Sequence, residues 1–487
     1  MNKTIFILPI ALLLSSGSAL SQKSYTLKDV VQLARTKSTA WLSAETRKEN
    51  SYWIYRTYRS DYNPQLLFSG TVPAYNQRVT PVTQPDGSLL YRSVKNNTVN
   101  MQLGLQQVIA PTGGNITVYT NANRFDDFQT DFTQYSGEPI SVGLSQPIFQ
   151  YNAFKWNRLI KPLVYQESQK RYFEELEQIS IGATRRFFDL LLAQINLDIA
   201  RKNVQSNDTI YQIAQGRYNL GKITENDLLQ LELNLVNSRL AVSQALVDQQ
   251  QADLNLKSFI GLSENNTIDL TLPENIPEFL VDENVALAEA HKNKPDFVSY
   301  DRRLLEAKQE VARAQRSSGV NMNLDAVYGL NNQGLSFSDV YNNTLSNVAV
   351  ALRMTVPVLD WGRQKARRKT AEANQKLVEY QLKQDKETFD QDILTEVRNF
   401  NMLRKQLESR IKSDQIANRA YGISKQLFLI GKISITDLNQ SLASKDLAKQ
   451  NYISTLRDFW IAYFQLREKT LYDFETNSLL VRDIQLN

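Results

Sequence analysis

The chain of 487 residues contains no cysteine and one histidine, His291. That excludes disulfides, thiolate metal sites, a cysteine nucleophile and an acylated lipoprotein cysteine. It also excludes a multi-histidine metal centre. Glycine (18) and proline (13) are sparse, which favours long regular elements over a loop-rich fold. Charge of one sign does not dominate: 56 basic residues stand against 51 acidic ones. Nothing therefore points to nucleic acid as a partner. Mean hydropathy is −0.40, and only the N-terminus carries an apolar run approaching the ~20 residues that a membrane helix needs. A polytopic helical membrane protein is disfavoured, as are most enzyme readings, and no cofactor is implied.

Residues 1–21 read as a secretory signal: Lys3, an apolar segment from Ile5 to Leu14, then Ala19-Leu20-Ser21 before Gln22. The alternative is an N-terminal anchor, for which the run is short. Without this segment the charge is 55 − 51 = +4.

The remainder is internally duplicated. Gly221-Lys222-Ile223-Thr224-Glu225-Asn226-Asp227-Leu228-Leu229-Gln230 returns 210 residues later as Gly431-Lys432-Ile433-Ser434-Ile435-Thr436-Asp437-Leu438-Asn439-Gln440. The same shift carries Gln146-Pro147-Ile148-Phe149 onto Val356-Pro357-Val358-Leu359. Nearer the start the shift is 256, so the first half holds a net insertion of 256 − 210 = 46 residues, between about 70 and 140. The expected repeats are 22–279 and 280–475, followed by a tail, 476–487. Each repeat reads as helix, strands, very long helix, turn, helix. The expected strands lie at about 65–148 and 320–357, and the long helices at about 150–261 and 360–470.

The opening pattern, capped by Thr26 and Asp29, predicts one helix to about Tyr58. Further on, Leu176, Ile179, Ala183, Phe187 and Leu190 form an apolar stripe, as do Ile393, Val397, Phe400, Leu407 and Ile411. No glycine or proline occurs between Gly362 and Tyr421. A helix of that length needs lateral partners throughout, as in a bundle or coiled coil.

The strands alternate. Val99, Met101, Leu103 and Leu105 interleave with Asn100, Gln102, Gly104 and Gln106. Runs from Ile116, Ile140, Met322 and Val348 behave alike, with a weaker one at Leu66-Phe68. One apolar and one polar face per strand fits a transmembrane β-barrel, and equally a soluble antiparallel sheet. Tyr151, Phe154, Trp156 and Trp361 flank the strands, where aromatic rings favour the headgroup level. Packing between helices uses the same residue types.

At the two turns, Gly221 and Gly431 suit the left-handed end of a helix. Thr224 and Ser434 then cap the next helix, with Asp227 and Asp437 three residues on. Capping alone accounts for both aspartates. Gly216 to Lys222 matches the opening of a phosphate loop, but Ile223 stands where Ser or Thr is required and no strand precedes it. Glu174-Glu175 read as an exposed, solubilising helix face, and His291 as a surface residue at a polar helix end.

Taken in order, the signal segment, the duplicated halves, Gln146-Pro147-Ile148-Phe149 ahead of a long helix, and the Gly-x-x-Ser/Thr-x-x-Asp-Leu turns resemble the TolC-type outer-membrane efflux proteins. The resemblance implies an α+β membrane protein acting as a homotrimer. Its duplicated helix-strand-helix halves would form a β-barrel in outer-membrane lipid, continued by a periplasmic α-helical barrel. It implies a passive duct for efflux or type I secretion that docks with a periplasmic adaptor and an inner-membrane transporter. Asp437 matches an aspartate lining the family's periplasmic aperture. The second acidic position is Gln440, the gating tyrosine falls at Phe428 and the partner arginine at Ile433, leaving Lys222 or Lys432 as basic partners. Four strands per chain are usual in the family. The 46-residue excess matches an added hairpin, 97–124, giving either twelve strands with a hairpin elsewhere or eighteen. A non-channel structural coiled-coil secreted protein is the alternative, and a secreted enzyme is the reading the residue inventory disfavours.

Overall fold

The computed structural model describes residues 24–262, 268–273 and 275–481. The expected signal segment, 1–21, lies outside the described residues, as does the end of the tail from 482.

A short strand, β1 (Ser24–Tyr25), leads into α1 (Leu27–Lys37) and α2 (Thr39–Ser60). Four strands follow: β2 (Gln65–Thr83), β3 (Leu89–Ile109), β4 (Gly114–Asp127) and β5 (Phe132–Ile148). Then come α3 (Ala153–Asn219), α4 (Glu225–Ile260), β6 (Asp269–Leu270), α5 (Glu283–Asn293) and α6 (Pro295–Arg316). The chain closes with β7 (Asn321–Gly334), β8 (Leu345–Thr355), α7 (Arg363–Leu429), α8 (Ile435–Thr470), β9 (Tyr472–Asp473) and β10 (Ser478–Leu479).

The duplication extends to element boundaries. Both α3 and α7 have 67 residues, and both α4 and α8 have 36. Corresponding ends within each pair lie 210 positions apart. Where α4 ends, Gly261 takes a left-handed φ of 71°, and its counterpart Leu471 takes one of 49°. A Cβ at Gly261 would come 2.8 Å from the Lys37 carbonyl oxygen, so only glycine fits there.

The first helix is not continuous to Tyr58. It breaks at Ser38, whose ψ of 150° is extended. The Ser38 hydroxyl accepts the Trp41 amide at 3.0 Å and so caps α2. The second half breaks at the corresponding Lys294, ψ 142°, before Pro295 at the first position of α6. Periodicity carries across such breaks because α1 and α2 each keep the helical repeat.

The residues fall into two compact units. One takes in the chain up to Ser43, Glu175–Val281 and Glu396–Glu468. The other takes in Ala44–Glu174, Asp282–Thr395 and the chain from Lys469. Each unit draws on both halves of the duplication, so the repeats are interwoven.

The first unit is helical. Its core includes Ile179, Ala183, Phe187 and Leu190 of α3, joined by Val397, Phe400 and Leu407 of α7. Phe279, Phe400 and Phe459 stack in sequence at 5.3 Å between neighbouring ring centroids. Glu177, only 2% exposed, accepts from Arg35 and from Arg467 at 3.1 Å.

The second unit holds a six-stranded antiparallel sheet in the order β2-β3-β4-β5-β7-β8. In this unit Glu174 corrects the sequence reading. Its side chain is 12% exposed and receives the Lys294 ammonium at 2.5 Å. A partner 120 residues away leaves no trace in local periodicity. His291 is half-exposed, bonded to Asp390 at 2.6 Å and packed on Phe297 and Phe389. Among the described residues no helix is long and apolar enough to cross a membrane, which says nothing about strands.

Candidate functional site

The two helix turns form one structure within the helical unit. Gly221 (φ 67°) and Gly431 (φ 76°) end α3 and α7 in the left-handed region. There the amides of Lys222 and Lys432 reach back to the carbonyls of Arg217 and Leu427, each at 2.9 Å. Thr224 and Asp227 then make a reciprocal capping box on α4. Ser434 and Asp437 do the same on α8: Asp437 Oδ2 accepts the Ser434 amide at 3.1 Å and its hydroxyl at 2.8 Å. Those bonds favour the charged form and hold the Asp437 carboxyl below its ordinary range.

Beneath the turns, Ile210, Ala214, Leu231, Ile435 and Leu438 are buried together, with Ile223, Tyr421 and Phe428 against them. Phe428, at the expected gating position, is thus part of an apolar cluster. Asp437 and Gln440 are exposed, while Ile435 and Leu438 between and beside them are buried. This is the outward face of an amphipathic first turn. Lys222 and Asp227 line a cleft of about 600 Å³ with Arg217, Phe428 and Ser434. Among the described residues neither Lys222 nor Lys432 makes an ion pair with Asp227 or Asp437.

Sequence reasoning missed Arg217. Its guanidinium donates to the carbonyl of Phe428 at 3.3 Å and to that of Leu429, tying the end of α3 to the end of α7. A basic residue in the last turn of a helix was the available signal. It lay inside the Gly216–Lys222 run read as an incomplete phosphate loop. Here Gly216 to Asn219 are helical, with no strand before them.

The sheet presents two chemically distinct faces. Register places Phe68, Leu103, Thr120, Ile140, Leu330 and their same-face neighbours on one side. Its band of Leu66, Leu105, Val118, Val142, Tyr328 and Val348 runs across all six strands. The other face carries Gln102, Asn121, Ser145, Asp325 and Arg353. On it, Asp325 accepts from Ser145 at 2.8 Å, from Asn323 at 2.7 Å and from Arg353.

The flanking aromatics differ in their surroundings. Tyr151 accepts from Gln309 at 2.5 Å and lies under Arg313, 4.9 Å from its ring. Phe154 meets Tyr62 edge-on at 5.7 Å. Trp156 is half-buried, whereas Trp361 is 90% exposed. Packing engages the first two, and Trp361 stands exposed.

Comparisons with known proteins agree with this architecture. The alkaline protease secretion protein AprF of Pseudomonas aeruginosa is 22% identical over 248 residues. That alignment covers 48% of this chain and 49% of AprF, so the chain spans about half the length of this curated relative. Among solved structures, the CmeC outer membrane channel of Campylobacter jejuni superposes with a TM-score of 0.65 at 16% identity, covering 91% of this chain and 85% of that one. A membrane protein from Pseudomonas aeruginosa gives 0.63 at 15%, covering 91% and 90%. The open-state MtrE outer membrane channel of Neisseria gonorrhoeae gives 0.60 at 14%, covering 91% and 88%. At these identities the likeness shows the fold. The profile described as outer membrane efflux protein matches residues 113–262 and 286–470, most of both halves. The chain therefore belongs to the outer membrane efflux protein family, whose members are outer-membrane channels with periplasmic helices rather than enzymes.

Proposed function

We propose that three copies of this chain assemble into a passive export duct for efflux or type I secretion. The observation that carries this reading is the sheet. It has an apolar face across all six strands and two unpaired edges, β2 and β8. Backbone groups at an edge cannot be left unpaired in hydrocarbon, and six strands do not readily close around a lumen. Pairing β8 of one copy with β2 of the next satisfies both demands. In this arrangement the polar face lines the passage. The helix turns form the periplasmic end, where a periplasmic adaptor and an inner-membrane transporter dock. Asp437, Lys432 and Gln440 line the aperture there, with Phe428, Gly431, Asp227, Gly221 and Lys222 shaping it. Tyr151, Phe154, Trp156 and Trp361 mark the membrane boundary.

The purified protein should extract with outer membranes, show a native mass three times that of the chain, and conduct ions across a planar bilayer. A monomeric mass without conductance would instead favour a structural coiled-coil protein. A ring of three Asp437 carboxylates favours cations in a narrow mouth. Asp437→Ala then changes conductance or cation block, and unchanged behaviour removes Asp437 from the gate.

A further inference from the structure

We propose that the β3–β4 hairpin is a full part of the membrane wall, so that three copies close an eighteen-stranded barrel. This rests on the trimeric duct proposed above and adds its strand number, width and wall composition.

Internal duplication identifies the hairpin as the extra piece. The 256-residue shift places β7 on β2, and the 210-residue shift places β8 on β5. Within the six-stranded sheet, only β3 and β4 have no counterpart, and they account for the excess within the first half. A hairpin held in the lumen, or beyond the membrane, would leave β2 paired directly with β5. Instead β3 and β4 stand between them, hydrogen-bonded on both sides. The β3–β4 ladder runs from Asn96↔Asp127 to Ile109↔Gly114. That is more than the ~9–11 residues that cross a bilayer as a tilted strand.

Face chemistry agrees. Met101, Leu103 and Leu105 on β3 and Ile116 on β4 are 38–42% exposed, all on the side that also carries Val142 and Leu352. Gln102, Gln106, Thr117 and Asn121 point to the other side. An apolar face that continues through both hairpin strands, with Thr120 the one polar residue among Ile116, Val118 and Ala122 on β4, is what a lipid-facing wall requires. A hairpin lying in water inside a lumen has no reason to keep one.

The hairpin is also fixed at the height of its neighbours. Asn152, beside the start of α3, donates to the carbonyls of Ala110 at 2.9 Å and Pro111 at 3.1 Å in the β3–β4 turn. Thr112 donates to Gln146 of β5 at 2.8 Å. The turn is therefore docked at the sheet end from which the long helix leaves.

Eighteen strands spaced ~4.8 Å apart and tilted ~40° close to a backbone diameter of about 36 Å, against about 24 Å for twelve. After side chains the passage is about 25 Å wide rather than about 13 Å. The barrel then ceases to limit the size of the cargo, which leaves selection to the helix turns.

The natural absence of cysteine makes the test direct. Single cysteines are introduced in the full chain, which is kept in outer membranes and treated with a sulfonated, water-soluble maleimide or an apolar one. Leu103→Cys and Val118→Cys should lose labelling by the sulfonated reagent yet react with the apolar one, while Gln102→Cys and Asn121→Cys react with the sulfonated reagent. Where one of these variants does not assemble, Met101→Cys or Ile116→Cys replaces it. Equal sulfonated labelling on both faces of β3 and β4, with alternation retained for Leu324→Cys, Leu352→Cys and Ala351→Cys on β7 and β8, overturns the eighteen-strand wall alone. Loss of alternation on β7 and β8 as well overturns it together with the barrel reading.

Discussion

Asp437 is exposed, and only its Oδ2 is used in the capping box. Capping and lining an aperture are therefore compatible, and two substitutions separate them. Asp437→Asn keeps an oxygen for the Ser434 amide while removing the charge, so cation block should fall with amide exchange at the turn unchanged. Asp437→Ala should alter both, by bilayer recording and hydrogen exchange. The carboxyl is held below its ordinary value of 3.8 by the Ser434 hydroxyl and amide. A depressed folded value contributes stability fully present above 3.8 and lost as pH falls through the lower folded value. Cation block should accordingly persist at mildly acidic pH and fade only below the usual carboxylate range. Thr224→Ala, on the other turn, should cost about 1 kcal/mol of local stability through loss of its cap. The capping residues were legible in the sequence because Gly, Ser/Thr and Asp at fixed spacing are local chemistry. The residues packed together beneath the turns, Ile210 and Tyr421 among them, were not.

Among elements, the contacts that tie helices together come from residues far apart in the chain. Arg217 bridges α3 to the two carbonyls near the end of α7. Arg217→Gln should loosen the turns by about 1.5–3 kcal/mol, the range for hydrogen bonds from a charged donor, and raise conductance in bilayers. Glu177 joins α3 to Arg35 of α1 and Arg467 of α8. Glu177→Ala leaves two guanidinium groups without that buried counter-charge and should destabilise the helical unit by about 3–5 kcal/mol in urea unfolding. Helix existence and the places of α3, α4, α7 and α8 followed from the scarcity of glycine and proline and from the apolar stripes. The breaks at Ser38 and Lys294 did not, since both segments beside each break keep the helical period. Nor did the burial of Glu174, which Lys294 decides from across the unit.

For the whole molecule, the sheet faces carry the strongest consequence. Val350 lies on the apolar face and Ala349 on the polar one. Val350→Arg should cost about 2–4 kcal/mol in the membrane and reduce trimer yield, while Ala349→Arg should assemble and change only ion selectivity. Native gel mass and bilayer recording distinguish the two. If both substitutions assemble equally well, the apolar face does not meet lipid.

Alternation, duplication and turn chemistry are local or repeating properties. The strand faces, the two interwoven halves and the outer-membrane family were therefore legible along the chain, even though the low mean hydropathy excluded only helical spans. The place of the β3–β4 hairpin was not, because an alternating hairpin has the same pattern in a wall, in a lumen or beyond a membrane. Hydrogen bonding to β2 on one side and β5 on the other settles its position in the sheet. Pairing of strands distant in sequence depends on three-dimensional register, which no stretch of residues specifies alone.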